Sequence, residues 1–312
     1  MASCPRDRMT IQADRTIRLP DGRTLGYAET GDPAGTPVLH FHGSPSCRLE
    51  VMAPEFDAIA ERLGVRVLAL DRPGMGLSDP KPGRTVLDWP ADVLAFAESV
   101  GLSRFSALGV SGGSPYAAVC ALRIPHRLRS VGIACGVAPM DGPEVRDGMS
   151  RQNRTLFFLA RWFPWGLRRM LRSLAAMAAT QPTTFFTRLG EQLPEVDRRA
   201  LAPPARRTYF IAMIREAFRR GEDGGLADLR LASRGWGFQL SQVPIVVNLW
   251  FGGRDINVPP AAGRYLAAAL PRSEARFYPE EGHISLLFNR YEEILTGLLA
   301  TAEREEGRPV RI

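Results

Sequence analysis

The sequence predicts an α/β chain: a mostly parallel central sheet with helices on both faces, interrupted by an all-helical insertion. Three observations predict it. Apolar runs alternate with helix-length periodic segments through the N-terminal half. One of these runs passes directly through Gly109-Val110-Ser111-Gly112-Gly113 into a helix-compatible stretch. Between residues 139 and 236 the strand-type runs vanish and helical patterns take over.

Taken in order, strands are expected at residues 16–19, 24–29, 37–41, 65–70, 105–110 and 130–134, with helices at 54–63, 86–100 and 115–124. Residues 139–236 read as a helical cap, with helices over 155–172, 203–220 and 226–232. Residues 1–138 and 237–312 then form the sheet-bearing core. In its second part, Val246, Val247, Leu249 and Trp250 make a strand-like run that ends in Gly252-Gly253-Arg254-Asp255, and Phe277-Tyr278 precede Glu281-Gly282-His283. Sites on sheets of this kind lie at the carboxyl ends of the strands, where Ser111, Asp255 and His283 all fall.

Those residue types suit acyl transfer. A serine hydroxyl is a poor nucleophile at neutral pH, so it needs a base such as His283 to take its proton and return it to the leaving group. Asp255 would hold the imidazole tautomer and stabilise the imidazolium. Each residue alone has a plainer reading, as a glycine-rich turn, a turn aspartate or a hydrogen-bonded structural histidine. Their joint occurrence in the order Ser, Asp, His favours the triad. Asp141, after the apolar run 131–138, competes for the role of the acid, and the Gly-Gly-Arg-Asp turn favours Asp255. The loop His42-Gly43-Ser44-Pro45 follows the buried run Val38-Leu39-His40-Phe41, so the backbone amides of Ser44 and Gly112 are the expected oxyanion donors. His42 is expected to brace that loop rather than act as a base.

Together, His42-Gly43-Ser44-Pro45 with Arg48 nearby, Asp71-Arg72-Pro73-Gly74-Met75-Gly76-Leu77-Ser78-Asp79, the Ser111 turn with Pro115-Tyr116, Gly252 to Asp255 and Gly282-His283 resemble the α/β-hydrolase superfamily, in its branch with a helical cap. The resemblance extends over residues 16–302. It implies the α/β-hydrolase fold, catalytic roles for Ser111, Asp255 and His283, and an oxyanion hole at the Ser44 and Gly112 amides. Epoxide hydrolases and haloalkane dehalogenases of this superfamily carry aspartate at the elbow, and the serine here argues against both.

With 312 residues, 45% of them hydrophobic, the chain can bury a large core plus a lid. Residues 1–10 contain no apolar stretch typical of a secretory leader, and no apolar run approaches the roughly 20 residues of a membrane-spanning helix. A cytoplasmic protein without an integral membrane segment is expected. Cys4, Cys47, Cys120 and Cys135 lack metal-ligand spacing, and the apolar runs around Cys120 and Cys135 suggest reduced core thiols.

Residues 140–235 hold 17 Arg, no Lys and 10 Asp plus Glu, a balance of +7 that equals the formal net charge of the whole chain. A solvated helical surface accounts for this in a chain whose single lysine is Lys81; steering of an anionic substrate or contact with a membrane surface is the alternative. Nucleic-acid binding is not expected, since no nucleic-acid motif accompanies the charge. In the same segment Phe157, Phe158, Trp162, Phe163 and Trp165 either pack within the cap or line an acyl pocket, for which Phe158, Trp162 and Trp165 are the candidates.

The expected function is a serine hydrolase that cleaves a small-molecule carboxylic ester, thioester or lactone through an acyl-enzyme intermediate, with no cofactor and no metal. A cofactor-free lyase or perhydrolase on the same triad is one alternative, and a ligand receptor with a vestigial triad is another. Peptidase action on an N-terminal proline is less favoured, because recognising an amine calls for carboxylates where the cap offers arginine.

Overall fold

The structure, a computed structural model, describes residues 12–142 and 144–307. The expectations for residues 1–10 and for Cys4 lie outside the described residues. Among the described residues eight strands form one sheet: β1 (Gln12–Arg18), β2 (Thr24–Gly31), β3 (Thr36–Phe41), β4 (Val65–Leu70), β5 (Phe105–Val110), β6 (Leu128–Ala134), β7 (Val247–Gly252) and β8 (Ser273–Tyr278). Their spatial order is β1-β2-β4-β3-β5-β6-β7-β8. β2 runs antiparallel to β1 and β4, and every other neighbouring pair is parallel.

The helices in chain order are α1 (Pro54–Arg62), α2 (Trp89–Ser99), α3 (Ser114–Arg123), α4 (Arg151–Trp162), α5 (Pro164–Thr180), α6 (Pro182–Gln192), α7 (Glu195–Ala200), α8 (Pro204–Ala217), α9 (Asp223–Ala232), α10 (Pro260–Ala269) and α11 (His283–Glu306). Successive side chains on a strand point to opposite faces. Leu39 and Phe41 of β3 therefore pack toward α2, α3 and α10, while Val38 packs toward α1 and α11. With helices on both faces, β5 and β7 are buried along their whole length, which is why they read as apolar runs rather than alternations. This is the α/β layering that the sequence predicts.

Between β6 and β7 lie only α4 to α9 and short 3-10 turns among the described residues. A third apolar cluster forms there around Leu167, Leu171, Phe185, Met213, Ile214 and Leu229. The helix expected over 155–172 is two helices that break at Phe163. Pro164 lacks an N–H and disfavours helical dihedrals at the residue before it, so it opens a new helix instead. The unanticipated α6 contains Thr183, Thr184, Thr187 and Gly190, all weak helix formers. Tertiary packing of Phe185 and Leu189 supplies what propensity lacks.

Candidate active site

Ser111 stands where β5 turns into α3, with φ at +51°. A non-glycine residue in the left-handed region is strained, and such strain is held where a side chain must project from a sharp turn. His283 opens α11, and its Nε2 lies 3.1 Å from Ser111 Oγ. Its Nδ1 lies 2.7 Å from Asp255 Oδ2. The buried Asp255 carboxylate is itself fixed, because its Oδ1 accepts from the N–H groups of Asn257 and Val258, each at 2.8 Å. A carboxylate acceptor at Nδ1 places the imidazole proton there and leaves the Nε2 lone pair facing the serine. Burial disfavours the imidazolium, but the charge of Asp255 outweighs it and holds the His283 pKa well above the usual histidine value. Asp141 sits elsewhere, exposed and paired with Arg161 at 3.0 Å.

The loop after β3 approaches Ser111 from the other side. A Cβ added at Gly112 would come 2.7 Å from Ser44 Oγ and 3.2 Å from Ser44 N, so only glycine lets the two segments lie this close. The Ser44 N–H donates to no group among the described residues. The Gly112 N–H falls in the first turn of a helical segment, where amides have no intrahelical acceptor. The loop is braced by buried polar groups. His42 Nδ1 donates to Gly43 O at 2.8 Å and its Nε2 accepts from Arg72 N at 3.1 Å, a pairing that requires the neutral ring. Burial and then the neighbouring Arg72 charge depress the His42 pKa in the same sense. Gly43 N–H donates to Glu50 Oε1 at 2.8 Å, and Glu50 Oε2 meets His40 Nε2, also at 2.8 Å.

Two carboxylates from the inserted helices complete the surroundings, and neither was anticipated from the sequence. Asp228 of α9 is buried. It accepts from Ser44 Oγ at 2.6 Å, Tyr116 OH at 2.7 Å, Arg84 Nη2 at 2.5 Å, and Arg72 Nε and Nη2 at 2.8 and 2.5 Å. Burial alone would raise its pKa, but the guanidiniums of Arg72 and Arg84 outweigh it and hold the carboxyl well below the usual range. A trace of this network was visible in sequence: Asp228 lies between Leu226 and Leu229 on the apolar side of its helix, where a carboxylate demands partners.

Asp197 of α7 accepts from the N–H groups of His283, Ile284 and Ser285 at 3.1, 3.0 and 2.9 Å. It thereby caps α11 from another part of the chain. Gly282 precedes the helix without a side chain to do so, and a Cβ there would meet Asp197 Oδ1 at 2.4 Å. No local pattern in Glu195-Val196-Asp197-Arg198-Arg199 announces this role.

Ser111 and His283 open onto a cavity of about 510 Å³ lined mainly by apolar side chains, among them Leu156, Phe157, Met170, Leu174 and Phe288. Its charged lining consists of Glu50, Arg188 and His283. Phe158, Trp162 and Trp165 do not line it. One helical residue step turns a side chain by about 100°, so α4 sends Phe157 inward and Phe158 outward. Trp162 and Trp165 are 62% and 72% exposed. Cys47, Cys120 and Cys135 are buried free thiols. Among the described residues no helix is long and apolar enough to cross a membrane.

A family model for the alpha/beta hydrolase fold matches residues 36–290. Over 108 residues the sequence is 28% identical to a proline iminopeptidase of Neisseria gonorrhoeae, a match covering 34% of each chain, so the chain spans about a third of that curated relative. Among solved structures, a thermophilic esterase from Thermogutta terrifontis superposes with a TM-score of 0.66 at 21% identity, covering 92% of this chain and 99% of that one. An enol-lactonase from Burkholderia xenovorans superposes with a TM-score of 0.62 at 20% identity, covering 92% and 100%. At these identities the structural likeness carries the fold.

Proposed function

The chain belongs to the alpha/beta hydrolase fold family, and on that premise we propose that it is a serine hydrolase of carboxylic esters, thioesters or lactones. The observation that carries the reading is the hydrogen-bonded chain from Ser111 Oγ through His283 to the buried Asp255, at 3.1 and 2.7 Å. In this reading Ser111 Oγ attacks the acyl carbon while its proton passes to His283 Nε2, and Asp255 stabilises the imidazolium. The carbonyl oxygen becomes an oxyanion that accepts from the Ser44 and Gly112 amides. Collapse breaks the bond to the leaving oxygen or sulfur, which takes the proton from His283. Water, deprotonated by the same nitrogen, then attacks the acyl-enzyme and releases the acid and free Ser111.

In this account α4 to α9 act as a cap that shapes an apolar acyl pocket, with Phe157 in place of the outward-facing rings. The predominantly apolar lining suits an acyl chain. A second reading, hydrolysis of the amide after an N-terminal residue, is favoured by the partial match to a proline iminopeptidase and by Glu50, a cavity-lining carboxylate that could pair with an amine. The test is turnover of nitrophenyl esters of graded acyl length against prolyl nitroanilide. The proposal expects ester turnover that Ser111→Ala abolishes. Faster turnover of the anilide favours the second reading, and an inert wild type refutes both.

A further inference from the structure

The outward side of α4 and the start of α5 carry a contiguous aromatic patch. Phe158, Trp162, Phe163 and Trp165 are 53%, 62%, 41% and 72% exposed. The rings of Phe158 and Phe163 lie 5.6 Å apart, those of Phe163 and Trp165 6.3 Å, and the Arg161 guanidinium lies 5.3 Å from the Trp162 ring. Exposed apolar residues scattered singly need no explanation, but a cluster of large rings marks an interaction surface.

Arginines share that surface. On α4, Arg151, Arg154, Phe158, Arg161 and Trp162 recur at three- and four-residue steps and so lie along one face. On α5, Trp165 is followed at the same steps by Arg168, Arg169 and Arg172. Of the carboxylates nearby, Asp141 is paired with Arg161, and Glu222 and Asp223 with Arg168 and Arg172. Exposed Glu144 and Asp147 ahead of α4 form no ion pair among the described residues and are offset there by Arg146 and Arg154, which also lack carboxylate partners. Arg154 donates to the backbone carbonyls of Met149 and Arg146. Exposed Arg151 and Arg169 have no carboxylate partner among the described residues.

We infer that this face docks on an anionic lipid surface, with the four rings seated at headgroup depth and the arginines among the lipid phosphates. Tryptophan favours that depth because its ring is apolar while its N–H stays wet, and unpaired arginines beside such rings gain from negative headgroups. A second copy of the chain fits less well. A two-fold interface would lay the face against itself and bring its arginines together. The opposite side of α4 lines the cavity through Leu156 and Phe157. Docking would therefore hold the cavity within about one helix diameter, roughly 10 Å, of the lipid.

The experiment is co-sedimentation of the full chain with phosphatidylcholine vesicles and with vesicles containing 30 mol% (about a third) phosphatidylglycerol, at low and high salt. Near a charged surface each arginine strengthens binding about 5-fold, so Arg151 and Arg169 together give a preference of about 25-fold for the anionic vesicles. Raising the salt to 1 M, where the screening length is about 3 Å, should erase it. The triple variant Phe158→Ala, Trp162→Ala, Trp165→Ala should bind at least about 10-fold more weakly at unchanged melting temperature, since exposed rings contribute little to folding. Equal binding to both vesicle types, or a triple variant that binds like wild type, overturns the inference. So does a wild type that sediments as a dimer which the variant dissociates. The readout is binding, so it stands or falls separately from ester turnover.

Discussion

Replacing Asp228 by asparagine tests whether α9, part of the proposed cap, also holds the loop that carries Ser44. The side chain keeps its size but loses the charge that balances Arg72 and Arg84, both buried. An asparagine has one acceptor oxygen for the five hydrogen bonds that Asp228 now accepts, and its amide group would face a guanidinium or the Ser44 hydroxyl. Leaving a buried charge uncompensated costs about 3–5 kcal/mol. At the low end of the usual ~2–4 °C per kcal/mol for large domains, the melting temperature should fall by roughly 6–10 °C. The catalytic effect runs through Ser44, whose hydroxyl is tied to Asp228 at 2.6 Å and whose amide is an oxyanion donor in the proposed mechanism. Removing one such donor costs about 10²–10³ in kcat, and a donor that is displaced rather than deleted belongs at the lower limit, about 10². The assay is kcat and KM on nitrophenyl butyrate below the melting transition, alongside Ser44→Ala, which cuts the tether but leaves the amide and the ion pairs in place. Both variants should lose kcat with KM little changed, and only Asp228→Asn should lose much stability. Wild-type kcat in both would refute the coupling of α9 to the Ser44 loop.

Further expectations concern the rest of the site. The proposed mechanism requires the base form of His283, and Asp255 holds its pKa above the usual value of 6.5, so kcat/KM should rise with pH through a midpoint above 6.5. In the residual activity of Asp255→Asn that midpoint should move down, and an unmoved midpoint would deny the link. Asp141→Asn should leave turnover unchanged, whereas Asp255→Asn should lose about 10⁴-fold in kcat; the opposite pattern would reassign the acid. Asp197→Ala strips three amides of their acceptor at the start of α11, so it should cost about 1 kcal/mol of stability and lower kcat by misplacing His283. Wild-type kcat in that variant would confine Asp197 to a structural role. Phe157→Ala should shift the ratio of short- to long-chain ester turnover by roughly 10-fold or more, while an equal change on all esters would remove Phe157 from acyl selection.

What could be read in advance followed from local rules. β5 and β7 are apolar runs because both faces are covered, and the Ser111 turn is marked by the glycines that permit it. Chain order then suggested Asp255 and His283 as partners, which the fold brings within hydrogen-bonding distance. The rest depended on long-range contacts. Asp197 and Asp228 act on groups 86 to 88 and 112 to 184 residues away, a relation no window of sequence contains. The aromatic segment shows the limit of periodicity in another way. Its spacing marks a helical face, but only the packing of α4 decides that Phe157 turns toward the cavity and Phe158 toward solvent. At Pro164 a local rule overrides periodicity: the apolar spacing runs on through residues 155–172, but the proline ends one helix and opens the next.

The most direct test of the central claim is covalent labelling of the nucleophile. Wild-type protein treated with a fluorophosphonate should gain the mass of one phosphonyl group, located by peptide mapping on Ser111, and lose ester turnover in proportion to labelling. Ser111→Ala should gain none. An unlabelled wild type that still hydrolyses esters, or a label on another residue that accounts for the lost activity, would contradict the assignment of Ser111.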